Sequence, residues 1–201
     1  MIRFRKVFLL VMGLPAILSV LPQCAHAASE GPRNPSSASG LVWKNPTYTY
    51  SSDNSRASYN NSFQDILALT SFGFSSASGV IDGIKVEIEG YGTGAAPPIG
   101  DQIDVALTKD GSTPAGSWKT ARALPNGLAN EAYITCGGAN DLWGTSWTAS
   151  DIDNSNFGAL IRDTDIVAGA LYIDHVRVTV YYTLFINSAR RIKLQKTLTG
   201  D

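Results

Sequence analysis

The 201-residue chain carries 16 Lys and Arg, 17 Asp and Glu, two cysteines and 44% hydrophobic residues. That is enough chain and apolar content for one domain with a sizeable core. It excludes a nucleic-acid surface, which needs clustered Lys and Arg, and leaves no room for a disulfide framework.

Arg3, Arg5 and Lys6 form a short basic start, Val7 to Leu21 is almost wholly apolar, and Ala25 and Ala27 bracket His26. A basic flank, an apolar run and an Ala-x-Ala site are the three parts of a secretory signal peptide, so cleavage is expected after Ala27. The apolar run falls short of the roughly 20 residues of a spanning helix, and Pro15 interrupts it, which disfavours a membrane anchor. Gln23 before Cys24 departs from a lipoprotein signal. Cleavage leaves 174 residues and Cys136 as the remaining thiol, expected to be a small buried apolar residue rather than an interchain bridge. The 13 remaining basic residues face 17 acidic ones, a net of −4. Residues 28–183 hold −7, and residues 184–201 hold +3. No later run approaches a membrane span, the longest being the eight residues Ile166 to Ile173.

Residues 28–40, rich in Ser, Pro and Gly, read as a flexible lead-in. From Leu41 to Thr183 short apolar or alternating runs are separated by Gly, Asn, Asp, Ser and Pro about every 8–12 residues. This is the pattern of an all-β sandwich. In chain order the strands are expected at Ala57–Asn60, Ile66–Phe74, Ile84–Glu89, Ile103–Leu107, Trp118–Leu124, Ala132–Cys136, Phe157–Arg162 and Val176–Tyr182. The strongest is Ile84–Glu89. Ile84, Val86 and Ile88 share one face, Lys85, Glu87 and Glu89 the other, and a helix would spread those charges all round. Asp104 is expected outward in Ile103–Leu107. About eight antiparallel strands make two packed sheets. Thr148 with Asp151 three residues on predicts a capped helical turn at 148–152. Residues 184–201 form a basic tail.

Several strings stand in a telling order: Trp43-Lys44-Asn45-Pro46, Ser52-Asp53-Asn54-Ser55-Arg56-Ala57, Phe72-Gly73-Phe74-Ser75, and Ile81 through Glu89. After them come Gly137 through Gly144, Trp147-Thr148, Phe157-Gly158, and Ile173 through Tyr182. Over about 41–183 this order resembles a β-sandwich domain of bacterial secreted or surface proteins and of phage tail or structural proteins. The resemblance implies a jelly-roll-like sandwich used for attachment or as a building module, with no catalytic residues. The Gly92–Gly100 loop and the eighteen residues after Thr183 depart from that pattern.

The chemistry expected is therefore binding. After cleavage His175 is the only histidine, on the strand face opposite Val176 and Val178, and no Gly-x-Ser-x-Gly elbow is present. Glu87 and Glu89 are the one carboxylate pair a glycosidase reading can use. One Cys and one His make no zinc site in a single chain. Asp151–Asn156 resembles the start of a calcium loop but lacks its glycine and closing glutamate, and the capped turn accounts for it. Asp101 and Asp104 are the alternative site for a structural calcium. No other cofactor is expected. Exposed aromatics suit a glycan, since rings stack on sugar faces. The candidates are Tyr48 and Tyr50, read as alternating on one strand face, with Tyr91, Trp118, Trp143 and Trp147, and also Trp43. The competing reading has Trp143 and Trp147 plugging the end of the sandwich. In the tail, Arg190, Arg191, Ile192, Lys193 and Leu194 alternate in part and suit a strand that completes a neighbour's sheet. The sequence thus describes an exported, non-enzymatic binding or adhesion module for a glycan or cell-surface polymer. The alternative is a self-assembling subunit of a fibre or surface layer, with a glycoside hydrolase third.

Overall fold

A computed structural model describes residues 23–60, 64–75, 79–94, 99–164 and 169–187. The chain divides into two units, residues 1–24 with 186–201, and residues 25–185. Of the first, only the terminal residues of two strands are described. The second is an all-β sandwich.

Ten strands are present among the described residues: β1 Gln23–Arg33, β2 Ser37–Ser39, β3 Ala57–Tyr59, β4 Ile66–Thr70, β5 Val80–Gly92, β6 Ile99–Thr108, β7 Lys119–Pro125, β8 Ala132–Gly137, β9 Gly158–Asp163 and β10 Leu171–Asn187. One sheet runs β1-β10-β5-β8, with β3 also pairing β10, and the other runs β2-β4-β9-β6-β7. The pairings of β10 with β3 and β5, of β5 with β8, and of β9 with β4 and β6 are all antiparallel.

The alternation seen in the sequence explains the layers. Ile84, Val86 and Ile88 of β5 and Val176, Val178 and Val180 of β10 point inward. They meet Leu67 and Leu69 of β4, Ile103, Val105 and Leu107 of β6, and Ile161 of β9 in one continuous core. Each such aliphatic side chain gains roughly 1.5–3 kcal/mol from burial. Cys136 lies in the same core at 1% exposure, which rules out the interchain bridge in this fold. Burial also pushes its thiol pKa up.

Two expectations need correction. The stretch 28–40, read as flexible, contains the end of β1 and all of β2. Its Ser and Gly content hid them, because these strands are held by pairing to β10 and β4 rather than by an apolar face of their own. Tyr48 and Tyr50 do not alternate along a strand. Residues Pro46–Thr49 form a single tight helical turn, which Asn45 enters in the left-handed region (φ 52°).

The helical turn α1, Ala149–Ile152, forms where expected. Thr148 Oγ1 accepts from the Asp151 N–H at 3.1 Å, and the Thr148 N–H donates to Asp151 Oδ2 at 2.9 Å, a reciprocal cap. Lys109 Nζ pairs with the same carboxylate at 2.9 Å. No group of three metal-type side chains occurs among the described residues.

Candidate functional site

The outward face of the first sheet is built by register. Across β8, β5 and β10 the rows are Tyr133–Glu89–His175 and Thr135–Glu87–Arg177, and between β5 and β10 the Tyr91–Tyr172 pair continues them. Residues directly opposed across strands sit with Cβ atoms about 4.5–5.5 Å apart, so each row forms a contact set.

One irregularity makes this face possible. Ile173 and Val176 both point into the core although they stand three positions apart, an odd spacing that alternation would put on opposite faces. The register shift between Ile173 and His175 supplies the odd residue, Asp174, and turns His175 outward. Asp174 is itself 2% exposed. Its carboxylate accepts from the Asp53 N–H at 3.4 Å and the Asn54 N–H at 3.2 Å. It thereby ties the Ser51–Ser55 turn to β10, and Tyr50 bridges directly to His175. Burial, opposed by those two N–H groups, raises the Asp174 pKa.

Charges and rings interleave on the face. Arg177 donates to both oxygens of Glu87 at 3.2 Å, and Lys85 reaches Glu87 at 3.0 Å. Burial pushes the Glu87 pKa up, but the Arg177 and Lys85 hydrogen bonds outweigh it and hold the carboxylate below its usual range. Arg56 grips Glu131 with two bonds, at 2.7 and 2.5 Å. Tyr91 and Tyr172 stack at 4.7 Å and 13°, with Arg56 5.7 Å from the Tyr91 ring. Arg177 lies 4.3 Å from the Tyr133 ring. The Tyr133 hydroxyl is 2.7 Å from His175 Nδ1.

His175 is 6% exposed. Burial, with Arg177 beside it, lowers its pKa against the opposing pull of Glu89, Asp174 and Asp53. Its Nε2 and Glu89 Oε2 are buried with no hydrogen-bond partner in the protein. His175 is thus an inter-strand residue, bridged by Tyr50 and bordered by the Ser51–Ser55 turn.

The aromatic residues singled out in the sequence fall into three groups. Tyr50 and Tyr91 come together around this face, and Tyr48, 45% exposed, stands on the turn two residues before Tyr50. Trp118 lies elsewhere. It packs on Ala68, Ala106 and Leu160 outside the second sheet, with Arg162 4.2 Å from its ring. Trp143 and Trp147 are core residues, at 1% and 6% exposure, so neither offers a face to a ligand. The Trp143 indole N–H donates to the Ile84 carbonyl at 2.8 Å, and that of Trp147 to Leu142 at 3.0 Å. Gly137, at φ 75°, makes room for the Trp143 ring, because an added Cβ would run into it and into the Ile84 carbonyl. Trp43 is likewise buried, its ring 5.1 Å from Tyr59.

The remaining candidates are soon placed. Glu87 is committed to Arg177 and Lys85, which leaves the glycosidase pair without a free partner for Glu89. Asp101 accepts from the Thr93 and Gly94 N–H groups. Asp104 pairs with Arg162 and accepts from the Ala121 N–H. Arg190, Arg191, Ile192, Lys193 and Leu194 lie outside the described residues.

The sequence reading missed Tyr133, Tyr172, Arg56 and Glu131. For Tyr133 a signal was present, since Ile134 and Cys136 alternate with Tyr133 and Thr135. Arg56 and Glu131 are 75 residues apart and no local pattern links them.

No protein-family model and no curated protein matches the sequence. Among solved structures the chain is similar to TmCBM61 in complex with β-1,4-galactotriose. That likeness has 7% identity and a TM-score of 0.31, over 81% of this chain and 88% of that one. It is also similar to a crystal structure of a fragment comprising domains CD, at 10% identity and a TM-score of 0.37, over 76% of this chain and 62% of that one. Neither supports the kinship with phage tail or structural proteins that the motif order suggested. Among the described residues no helix is long and apolar enough to cross a membrane.

Proposed function

We propose that the chain is an exported glycan-binding module that holds its ligand on the outward face of the first sheet. The observation that carries this is the tyrosine-bordered array of cross-strand rows on that face. Tyr91 and Tyr172 stack at one end, Tyr133 lies over Arg177, and Glu89 and His175 stand between. Sugars ask for this combination. Rings contact the C–H faces, and nearby carboxylate, imidazole and guanidinium groups bond the hydroxyls. The signal-like pattern of residues 1–27 fits an exported protein.

The test is a glycan array probed with the exported chain and with Tyr91→Ala, Tyr48→Ala and Trp118→Ala. Loss of a stacking ring is expected to weaken binding about tenfold in the first two. Trp118→Ala, on the other sheet, is expected to bind like the parent. Loss of binding only in Trp118→Ala would move the site to the second sheet and refute this reading.

A further inference from the structure

We infer that Glu89 Oε2 and His175 Nε2 form a hydroxyl-recognition slot that makes the site selective for neutral glycans over acidic ones. The inference rests on the proposed glycan-binding face and specifies what it admits. The two residues are directly opposed across β5 and β10. Both atoms are buried and unpartnered within the protein, on a residue 6% exposed in the case of His175. A buried polar atom left unpaired is destabilising, so a group that bonds both atoms is favoured there.

The hydrogen-bond inventory limits what that group is. His175 Nδ1 is engaged by the Tyr133 hydroxyl. The Tyr133 hydroxyl also bonds the Glu89 carboxylate, so its one proton goes to Glu89 or to Nδ1; where it goes to Nδ1, Nε2 carries the ring proton and donates outward. One ligand hydroxyl then accepts from Nε2 and donates to Glu89 Oε2. In the other tautomer Nε2 accepts, and two neighbouring hydroxyls donate to the two atoms. Hydroxyls on adjacent ring carbons satisfy either state. A ligand carboxylate or sulfate satisfies neither, because it has no proton for Glu89.

The surrounding charge acts in the same direction. Lys85 and Arg177 pair with Glu87, and Arg56 pairs with Glu131. No salt bridge among the described residues reaches Glu89. Asp174, bonded to backbone N–H groups, and Asp53 lie beside His175. A second anion brought to this spot meets Glu89, Asp174 and Asp53, while the nearby Arg177 is already bonded to Glu87. Ser52 and Asp53 belong to the turn that borders His175, so a ligand hydroxyl enters by lifting that turn.

The experiment measures binding of the wild-type exported chain to neutral hexose oligosaccharides and to uronate and sulfated oligosaccharides of matched length. The same titrations follow with Glu89→Gln and His175→Gln, each checked for folding by thermal melting. Expected are binding of neutral oligosaccharides only, and a loss of roughly tenfold or more in each variant, as fits hydrogen bonds to a charged or buried group. If acidic oligosaccharides bind the wild type as tightly as neutral ones, the slot is refuted while the glycan reading survives. The wild-type comparison holds even if a variant fails to fold. If neutral binding is unchanged in both folded variants but lost in Tyr91→Ala, the tyrosine face stands and the slot does not. If no oligosaccharide of any class binds, the proposed function falls and takes the slot with it.

Discussion

The outward faces of the two sheets use similar residues to different ends. On the second sheet Asp104 pairs with Arg162, and Trp118 lies across Ala68, Ala106 and Leu160, so the aromatic ring and the guanidinium cover a small satellite core. On the first sheet the tyrosines and arginines stand over carboxylates, and two polar atoms remain unpaired. One face is satisfied within itself and adds to stability. The other carries two buried polar atoms without partners, the feature on which the proposed recognition slot rests. Trp118, which lies between Ser and Lys in the sequence, is thus committed to packing on the second sheet.

The largest effect expected to sharpen this contrast is on the second sheet. Leu160→Ala removes a fully buried side chain and is expected to cost about 3 kcal/mol in urea unfolding. Next, Arg162→Ala leaves Asp104, 3% exposed, without its cation. A loss of roughly 2–3 kcal/mol is expected, relieved by the double variant Arg162→Ala with Asp104→Asn. On the first sheet, Arg56→Ala breaks a largely buried pair, its side chains 15% and 10% exposed, and is expected to cost about 2 kcal/mol, because Glu131 keeps more access to solvent than Asp104. If Arg56→Ala proves costlier than Arg162→Ala, the division into a stabilising and a recognising face fails.

Acid distinguishes the faces further. The folded-state pKa of His175 is lowered, so the unfolded chain binds this proton more readily than the folded one. Its contribution is fully present above the ordinary histidine value, near 6.5, and is lost as pH falls below it toward the folded pKa. A stability profile from pH 8 to 5 is expected to decline, and His175→Gln to flatten that decline. The smallest effect is Tyr48→Ala. At 45% exposure its removal is expected to change stability by less than about 0.5 kcal/mol while weakening glycan binding. A Tyr48→Ala protein that melts well below its parent would show the ring to be structural.

Much of the sandwich was legible in the chain. All eight strands expected from alternation exist, because a half-buried strand writes its two faces into every second residue. β1 and β2 were not legible, since pairing to a neighbour leaves no period in Ser, Gly and Pro. The thiol at Cys136 and the cap at Thr148 followed from local chemistry. The site was harder. Tyr91 could be placed outward from the alternation of Ile84–Glu89. The exposure of Trp143 could not be judged, because it depends on a carbonyl 59 residues away and on the space at Gly137. The shift at Asp174 is visible only once Leu171 and Ile173 are set against Val176 and Val178. The apolar residues change from odd to even numbers there.

That single extra residue also governs how β10 can misalign. Its Leu171–Ile173 end and its Val176–Tyr182 end obey opposite parities, both anchored on β5. Sliding β10 by one residue would drive Arg177 and His175 into the interior at one end and expose leucine and isoleucine at the other. Sliding by two would move the bulge away from the N–H groups that Asp174 holds. A uniform alternating strand tolerates the two-residue slip. β10 has one register in which both halves and the turn are satisfied at once, so its neighbours on either side assemble against a template that cannot be read out of frame.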